Sequence, residues 1–279
     1  MSPQIEIIIL ASMVASACAL PGTFLVLRRM SLMSDAISHS ILLGIVIAFF
    51  YTKSLVSPLL LVGAAIVGVL TVTLTEIVVK TRKLKEDAAI GLVFPVLFSI
   101  GVILITRFAH NVDLDAQCVL LGELAFTPFD RMMIAGQDWG PQGFWVVGGI
   151  LLVNILFVSI FYKELKISTF DPDLAASLGF HPTFLHYALM TVVSLTCVAA
   201  FESVGSILVV ALMITPPAAA FLLTRRLSRM ILYSMTIGIA SAVSGYAVAR
   251  AWDTNIAGAM ATMSGVIFFV IFISCMRTG

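Results

Sequence analysis

Residues 88–106 read AAIGLVFPVLFSIGVILIT, nineteen residues without a charge, bounded by Glu86-Asp87 on one side and Arg107 on the other. About 20 apolar residues in a helix span the hydrocarbon of a bilayer, and a helix satisfies every backbone N–H and C=O within its own segment. The run is far longer than the roughly ten-residue alternating strands of an outer-membrane barrel. Comparable runs occupy 4–27, 36–51, 55–79, 143–163, 184–201, 204–223, 230–250 and 256–275. The expected fold is therefore all-α: a polytopic helical membrane protein with about 8–9 transmembrane helices. Three places depart from a clean span. The second run begins directly at Asp35, which predicts an irregular start. Gly258 and Gly265 interrupt the last run, which reads as a candidate broken helix. Between 107 and 142 the chain is polar at both ends, and its apolar middle, Cys118 to Phe126, is too short to cross and reads as a re-entrant or interfacial piece.

Composition points the same way. Of 279 residues, 60% are hydrophobic and only 11% charged, with a mean hydropathy of +1.10. Soluble domains carry about 25% charged residues. The expectation is one transmembrane domain over 1–279, with no room for a sizeable soluble one. A net charge of +1 implies no nucleic-acid partner. Cys18, Cys118, Cys197 and Cys275 show neither CxxC pairing nor metal-ligand spacing, and three of them lie in apolar runs as buried free thiols would. The first run lacks the basic n-region of a signal peptide, so it reads as a retained first span. The G-x-x-x-x-G-K-[ST] phosphate loop is absent as well. Any active transport would then draw its energy from an ion gradient or from another chain.

Basic residues give the runs an orientation. With the N-terminus outside, the inward connections hold Arg28, Arg29, Lys80, Arg82, Lys83, Lys85, Lys163, Lys166, Arg225, Arg226 and Arg229, joined by Arg277 if the last run crosses. The outward segments hold only Lys53, Arg107, Arg131 and Arg250. The excess of Lys and Arg on cytoplasmic connections predicts an outside N-terminus.

Three stretches could carry chemistry. In Arg28–Gly44, RRMSLMSDAISHSILLG, Asp35 and His39 stand four apart and share one helix face. A carboxylate and an imidazole converging there suit a borderline divalent cation, with Ser34 and Ser38 as weaker oxygens. Spacing alone fits equally a helix start at the interface, with Asp35 as cap and His39 as its intrahelical partner. In Ile167–Pro182, Asp171-Pro172 reads as a cap followed by a first-turn proline and Gly179 as a stop, which predicts a helix of about seven residues, either a plain connector or a docking element. His181 and His186 flank it. In Glu202–Ala220, Glu202 marks an outward helix end and a candidate pathway residue, while Pro216-Pro217 predict a break or kink near the inward end. His110, Asp113 and Asp115 form a small outward cluster that fits a solvated loop or a docking point.

At these stretches the sequence resembles the membrane permease subunits of ATP-binding-cassette importers for manganese, zinc and iron. That family's signature is close to Arg-Gly-Met-Ser-Leu-Met-Gly-Asp-Ala-Ile-Ser-His-Ala-Val-Leu-Pro-Gly, and Arg28 to Gly44 stands in its place. Its Phe-Asp…Ala-x-x-x-Gly loop appears as Phe170-Asp171 through Ala175 and Gly179, and its Val-Gly-x-Ile-Leu-Val run as Val204 onward to Pro216. Leu121 to Phe126 and the Gly140-Pro141 region look like the second-type permease of two-permease iron/manganese systems. Departures are Ser34 for Gly, Ser40 for Ala and Leu43 for Pro, the last predicting a less kinked helix after His39.

The resemblance implies a type II importer-like permease of a bacterial cytoplasmic membrane. In that reading Asp35 and His39 are the metal-coordinating pair, and Phe170, Asp171, Ala175 and Gly179 form the helix that rests on the ATPase. The implied partners are a cytoplasmic ATP-binding subunit, a second permease chain (identical or not) and an extracytoplasmic metal-binding protein. The metal is cargo, Mn²⁺, Zn²⁺ or Fe²⁺, and no cofactor is held permanently. Two other classes compete. A gradient-driven metal transporter needs no ATPase but more intramembrane carboxylates, and an intramembrane metalloenzyme needs three ligands and an activated water.

Overall fold

The computed structural model of the chain describes residues 2–53, 58–108, 124, 127, 131–134 and 137–278. The expected re-entrant stretch Cys118–Phe126 (Leu124 aside) and the cluster His110, Asp113 and Asp115 lie outside the described residues. In chain order the helices are α1 (Pro3–Leu27), α2 (Leu32–Thr52), α3 (Pro58–Lys80) and α4 (Glu86–Phe108). Strands β1 (Arg131–Ile134) and β2 (Gln137–Pro141) follow, then α5 (Gln142–Ile160), α6 (Tyr162–Phe170), α7 (Pro172–Ser177), α8 (Pro182–Val204), α9 (Ser206–Leu223), α10 (Leu227–Trp252) and α11 (Ile256–Thr278). Among the described residues, nine helices are long and apolar enough to cross a membrane, all but α6 and α7. At 1.5 Å per residue they measure about 27–39 Å, which matches a hydrocarbon core of about 30 Å.

α1 is the central post, packed by α5, α8, α9 and α10. Its residues Leu10, Val14, Cys18 and Leu25 are fully enclosed and join one core with Met33, Ile37 and Ile41 of α2 and Leu208 and Leu212 of α9. α2 stands in a second group with α3 and α4, and α8 touches both groups. Small residues let the helices close up. Gly44 of α2 lies against the backbone of Gly63 and Ala64 in α3, and buried hydroxyls join across the same seam, Thr71 to Ser40 at 2.7 Å.

Several expectations need correcting. α2 starts at Leu32 rather than 36, so Asp35 lies inside its first turn and the start is regular helix. Ser31, not Asp35, occupies the capping position, without a side-chain cap bond. α11 is one continuous helix through Gly258 and Gly265. Gly258 merely sits in the first turn, where its N–H donates to Asn255 Oδ1 at 2.9 Å. Pro216 and Pro217 do not end α9, which runs on to Leu223 with both prolines buried. Their missing N–H groups are tolerated inside a packed bundle. The all-α expectation stands, and beside the helices lies one two-stranded antiparallel ribbon, in which Ile134 faces Gln137 and Met133 faces Asp138. The ribbon is pinned to the start of α1 by Arg131 Nη2, which donates to Glu6 Oε1 at 3.2 Å and Oε2 at 3.4 Å.

The turn from α1 to α2 carries a detail invisible in the run pattern. The N–H of Met30 bonds the Leu25 carbonyl at 2.9 Å and that of Arg29 the Val26 carbonyl at 3.1 Å. This is the paired-bond helix stop that favours glycine at its left-handed position. Arg29 occupies that position with φ +62, where the family signature carries Gly. A side chain there costs about 1 kcal/mol. Arg29→Gly is therefore expected to raise the thermal unfolding temperature of the purified chain slightly, and an unchanged or lower temperature would refute the strain.

Candidate functional site

Asp35 and His39 project from the same side of α2, with His39 Nε2 3.4 Å from Asp35 Oδ1. That exceeds the usual 2.7–3.2 Å of an N–H···O bond, so the pair is loosely joined. It equals the spacing of two adjacent ligand atoms on one ion: bonds of about 2.1 Å at tetrahedral angles put such atoms about 3.4 Å apart. His39 is held by aromatic rings from α4. Phe94 stacks on the imidazole with centroids 5.8 Å apart, and Phe98 meets it edge-on at 6.1 Å.

Depth follows from the neighbours. Phe94 and Phe98 bracket the middle of α4. Between the two in height, on the opposite side of α2, Ile37 faces Gly68 at the middle of α3, and Ser194 at the middle of α8 meets the same glycine. The pair therefore lies at half-height of three spanning helices, although it occupies the first turns of its own. An interfacial cap reading does not fit that position. Within the chain the pair is only partly covered. The Asp35 and His39 side chains remain 40% and 34% exposed. Leu32, one turn before the pair, is exposed as well, whereas Leu43, one turn after His39, is buried against α3 and α4, so the opening in the chain is confined to the first turns of α2.

The other expected residues divide. Ser38 is buried on the side of α2 that faces the bundle, its Oγ donating to the Ser34 carbonyl at 2.8 Å and meeting Cys197 of α8. Glu202 is exposed at the far end of α8, beyond Cys197. Among the described residues no group of three or more His, Cys, Asp or Glu gathers, so Glu202 does not join the pair. Cys18 and Cys197 are buried free thiols.

The predicted short helix is present as α7. Asp171 Oδ1 accepts the N–H of Leu174 at 2.9 Å, capping it. The N–H groups of Phe180 and Gly179 bond the carbonyls of Ala175 and Ala176 at 3.0 and 3.1 Å, with Gly179 at φ +84. Ala175 is fully buried, while Phe170, Leu174 and Leu178 stand 62%, 48% and 57% exposed. A buried heel and an apolar outer face suit contact with another protein. The arm carrying it, α6, was not anticipated, because YKELKISTF contains no long apolar run.

Missed altogether was Glu76, a carboxylate inside the third apolar run. His186 Nε2 contacts its Oε1, and Tyr187 donates to its Oε2 at 2.6 Å. An isolated carboxylate within a span, four residues before Lys80, was the available signal.

Among the described residues, nine helices long and apolar enough to cross a membrane, with a capped surface helix beside them, define a multi-pass membrane protein. The chain belongs to the ABC 3 transport family, which matches residues 4–276. It is 50% identical over 274 residues to the zinc transport system membrane protein TroD of Treponema pallidum, covering 98% of this chain and 74% of that one. To the manganese transport system membrane protein MntD of Bacillus subtilis it is 46% identical over 273 residues, covering 98% and 92%. Among solved structures, PsaBC from Streptococcus pneumoniae in complex with Fab superposes with a TM-score of 0.80 at 29% identity, covering 98% of this chain and 91% of that one.

Proposed function

We propose that the chain is the ion-conducting subunit of an ATP-driven importer for a divalent transition metal (Mn²⁺, Zn²⁺ or Fe²⁺), with Asp35 and His39 as its transient ligands. The observation that carries the reading is the pair at half-height, its ligand atoms spaced as neighbours on one ion. The zinc and manganese systems of the relatives point to the same class of cargo. A carboxylate, an imidazole and water make a site weak enough to release the ion, which conduction requires. The exposed side of the pair is covered by a second permease chain. α7 docks its apolar face on a separate cytoplasmic ATP-binding subunit, and an extracytoplasmic binding protein delivers the ion. The membrane is the bacterial cytoplasmic one. No resident cofactor is required.

Metal uptake decides between this reading and a gradient-driven carrier. Cells that keep the permease but lack the ATP-binding subunit are expected to take up no more radiolabelled manganese or zinc than cells lacking both. Undiminished uptake would overturn the ATP-driven reading.

Orientation follows the basic residues. With each of the nine helices crossing once, the connections 28–31, 81–85, 161–181 and 224–226 share one face, taken as cytoplasmic. In a background with Cys118 and Cys275 replaced by serine, Ser2→Cys is expected to react with a membrane-impermeant thiol reagent in intact cells, and Leu178→Cys only after lysis. The reverse pattern would invert the topology.

α7 depends on its two ends. Asp171→Ala removes the cap and Gly179→Val forces a branched residue into the left-handed region, each costing about 1 kcal/mol of local stability. Both variants are expected to keep membrane levels while reducing co-purification of the ATP-binding subunit several-fold. Full co-purification of both would show that α7 is a plain connector.

A further inference from the structure

The proposed function leaves one buried polar chain unused. Arg28, the residue that caps α1, donates from Nε to Thr169 Oγ1 at 3.1 Å and from Nη2 to Ser168 Oγ at 3.1 Å. Its Nη1 lies 3.3 Å from His186 Nδ1. A guanidinium has no acceptor, so Nδ1 must accept, and the ring proton of a neutral His186 is then on Nε2. That nitrogen faces Glu76 Oε1, and Tyr187 donates to the other oxygen of the same carboxylate. The contacts thus diverge from Arg28, on one side to the last turn of α6, which accepts, and on the other through His186 at the start of α8 to Glu76 of α3.

The surroundings are dry enough for these bonds to matter. Ser168 is 6% exposed, and the side chains of His186 and Glu76 are 18% and 20% exposed. Burial pulls the Arg28 guanidinium below its ordinary pKa, yet an arginine stays charged. Beneath the polar chain, Phe24 of α1, Leu165 of α6 and Leu189 of α8 pack into one apolar cluster. The arm is therefore seated on α1 by apolar contact and oriented by Arg28. Thr169 is two residues from Asp171, the cap of α7. Arg28 is seven residues from Asp35, across the tight Arg29 turn. A rigid turn of this kind passes displacement on rather than absorbing it.

We propose that Arg28 is a positioning residue that makes the α6–α7 arm and the α1–α2 turn move as one unit, carrying motion at the ATPase contact to the Asp35–His39 pair. The inference rests on the proposed function, and it names a load path that α7 alone does not supply. Charge-assisted bonds to two α6 hydroxyls fix the arm against α1. The Glu76 carboxylate, reached through His186, anchors the same cation to α3, which shares the seam with α2.

The test uses the complete importer, permease chains with ATP-binding subunit and binding protein, reconstituted in liposomes. Metal uptake and ATP hydrolysis are read on the same vesicles. With Arg28→Gln, the metal transported per ATP hydrolysed is expected to fall about tenfold, a typical coupling loss, while hydrolysis persists. Arg28→Lys, which keeps the charge but cannot reach three acceptors, should recover part of the ratio. A merely structural role would lower the amount of assembled complex and scale both rates together. An unchanged ratio in assembled Arg28→Gln importer overturns the proposal. If that variant does not assemble, Ser168→Ala with Thr169→Val removes the α6 acceptors instead, and the same ratio decides. The readings separate cleanly: unaltered importer that moves no metal refutes the proposed function, whereas unaltered importer that transports beside a fully coupled variant refutes only this inference.

Discussion

Asp35→Ala and His39→Ala are each expected to bring metal uptake down to that of cells without the permease, about a hundredfold, with the protein still in the membrane at its normal level. The two halves of that expectation have different physical origins. Loss of transport follows from the proposed role of the pair as cargo ligands, since changes even in the groups supporting a ligand cost 10–100-fold. Normal abundance follows because the pair holds little else together. Both side chains are more than a third exposed, and their mutual contact is a loose 3.4 Å. Removing His39 leaves Phe94 and Phe98 to close on each other, whereas Ile37 and Ile41, which do bind α2 to the bundle, are untouched. Asp35→Asn sharpens the test, since it keeps the shape and removes only the charge. If both alanine variants accumulate normally and retain more than a tenth of the uptake, the pair is structural.

Much of this arrangement is legible in the sequence, for identifiable reasons. A charge-free run such as 88–106 has one stable form in lipid, so eight or nine spans follow from composition, and only the continuity of the last one comes from the structure. α7 is legible because Asp171, Pro172 and Gly179 each act on their own backbone neighbours. What escapes is whatever depends on packing between segments. The start of α2 looks too polar to span, yet Ser34 and Ser38 are enclosed by neighbouring helices and bond carbonyls of their own helix. The half-height of the Asp35–His39 pair comes from Phe94, Gly68 and Ser194, which no spacing rule connects to it. α6 escapes because its apolar residue Leu165 is buried by α1 and α8 rather than by lipid. Glu76 and His186, 110 positions apart, have no sequence pattern to join them.

Gly44→Leu is expected to abolish uptake together with the native thermal transition, the second large effect. The signature ends at this glycine, and the packing supplies a reason. A Cβ on Gly44 would run into the Gly63 carbonyl and the Ala64 Cα of α3. Both obstacles are backbone, so no side-chain rotation relieves the overlap and the helices must separate. Separation breaks the Thr71–Ser40 contact at the same seam. It also shifts α2, which carries His39 five residues earlier. A displacement of about 1 Å at a reacting site is enough to cost about a hundredfold. Gly44→Ala, with a single extra carbon, should fall between, keeping partial uptake at a lowered unfolding temperature. Gly149 and Gly265 provide the control, because a Cβ at either meets nothing within 4 Å. Alanine at those two positions should leave both readouts unchanged. Wild-type uptake and melting in Gly44→Leu would show that the α2–α3 seam does not hold the pair in place.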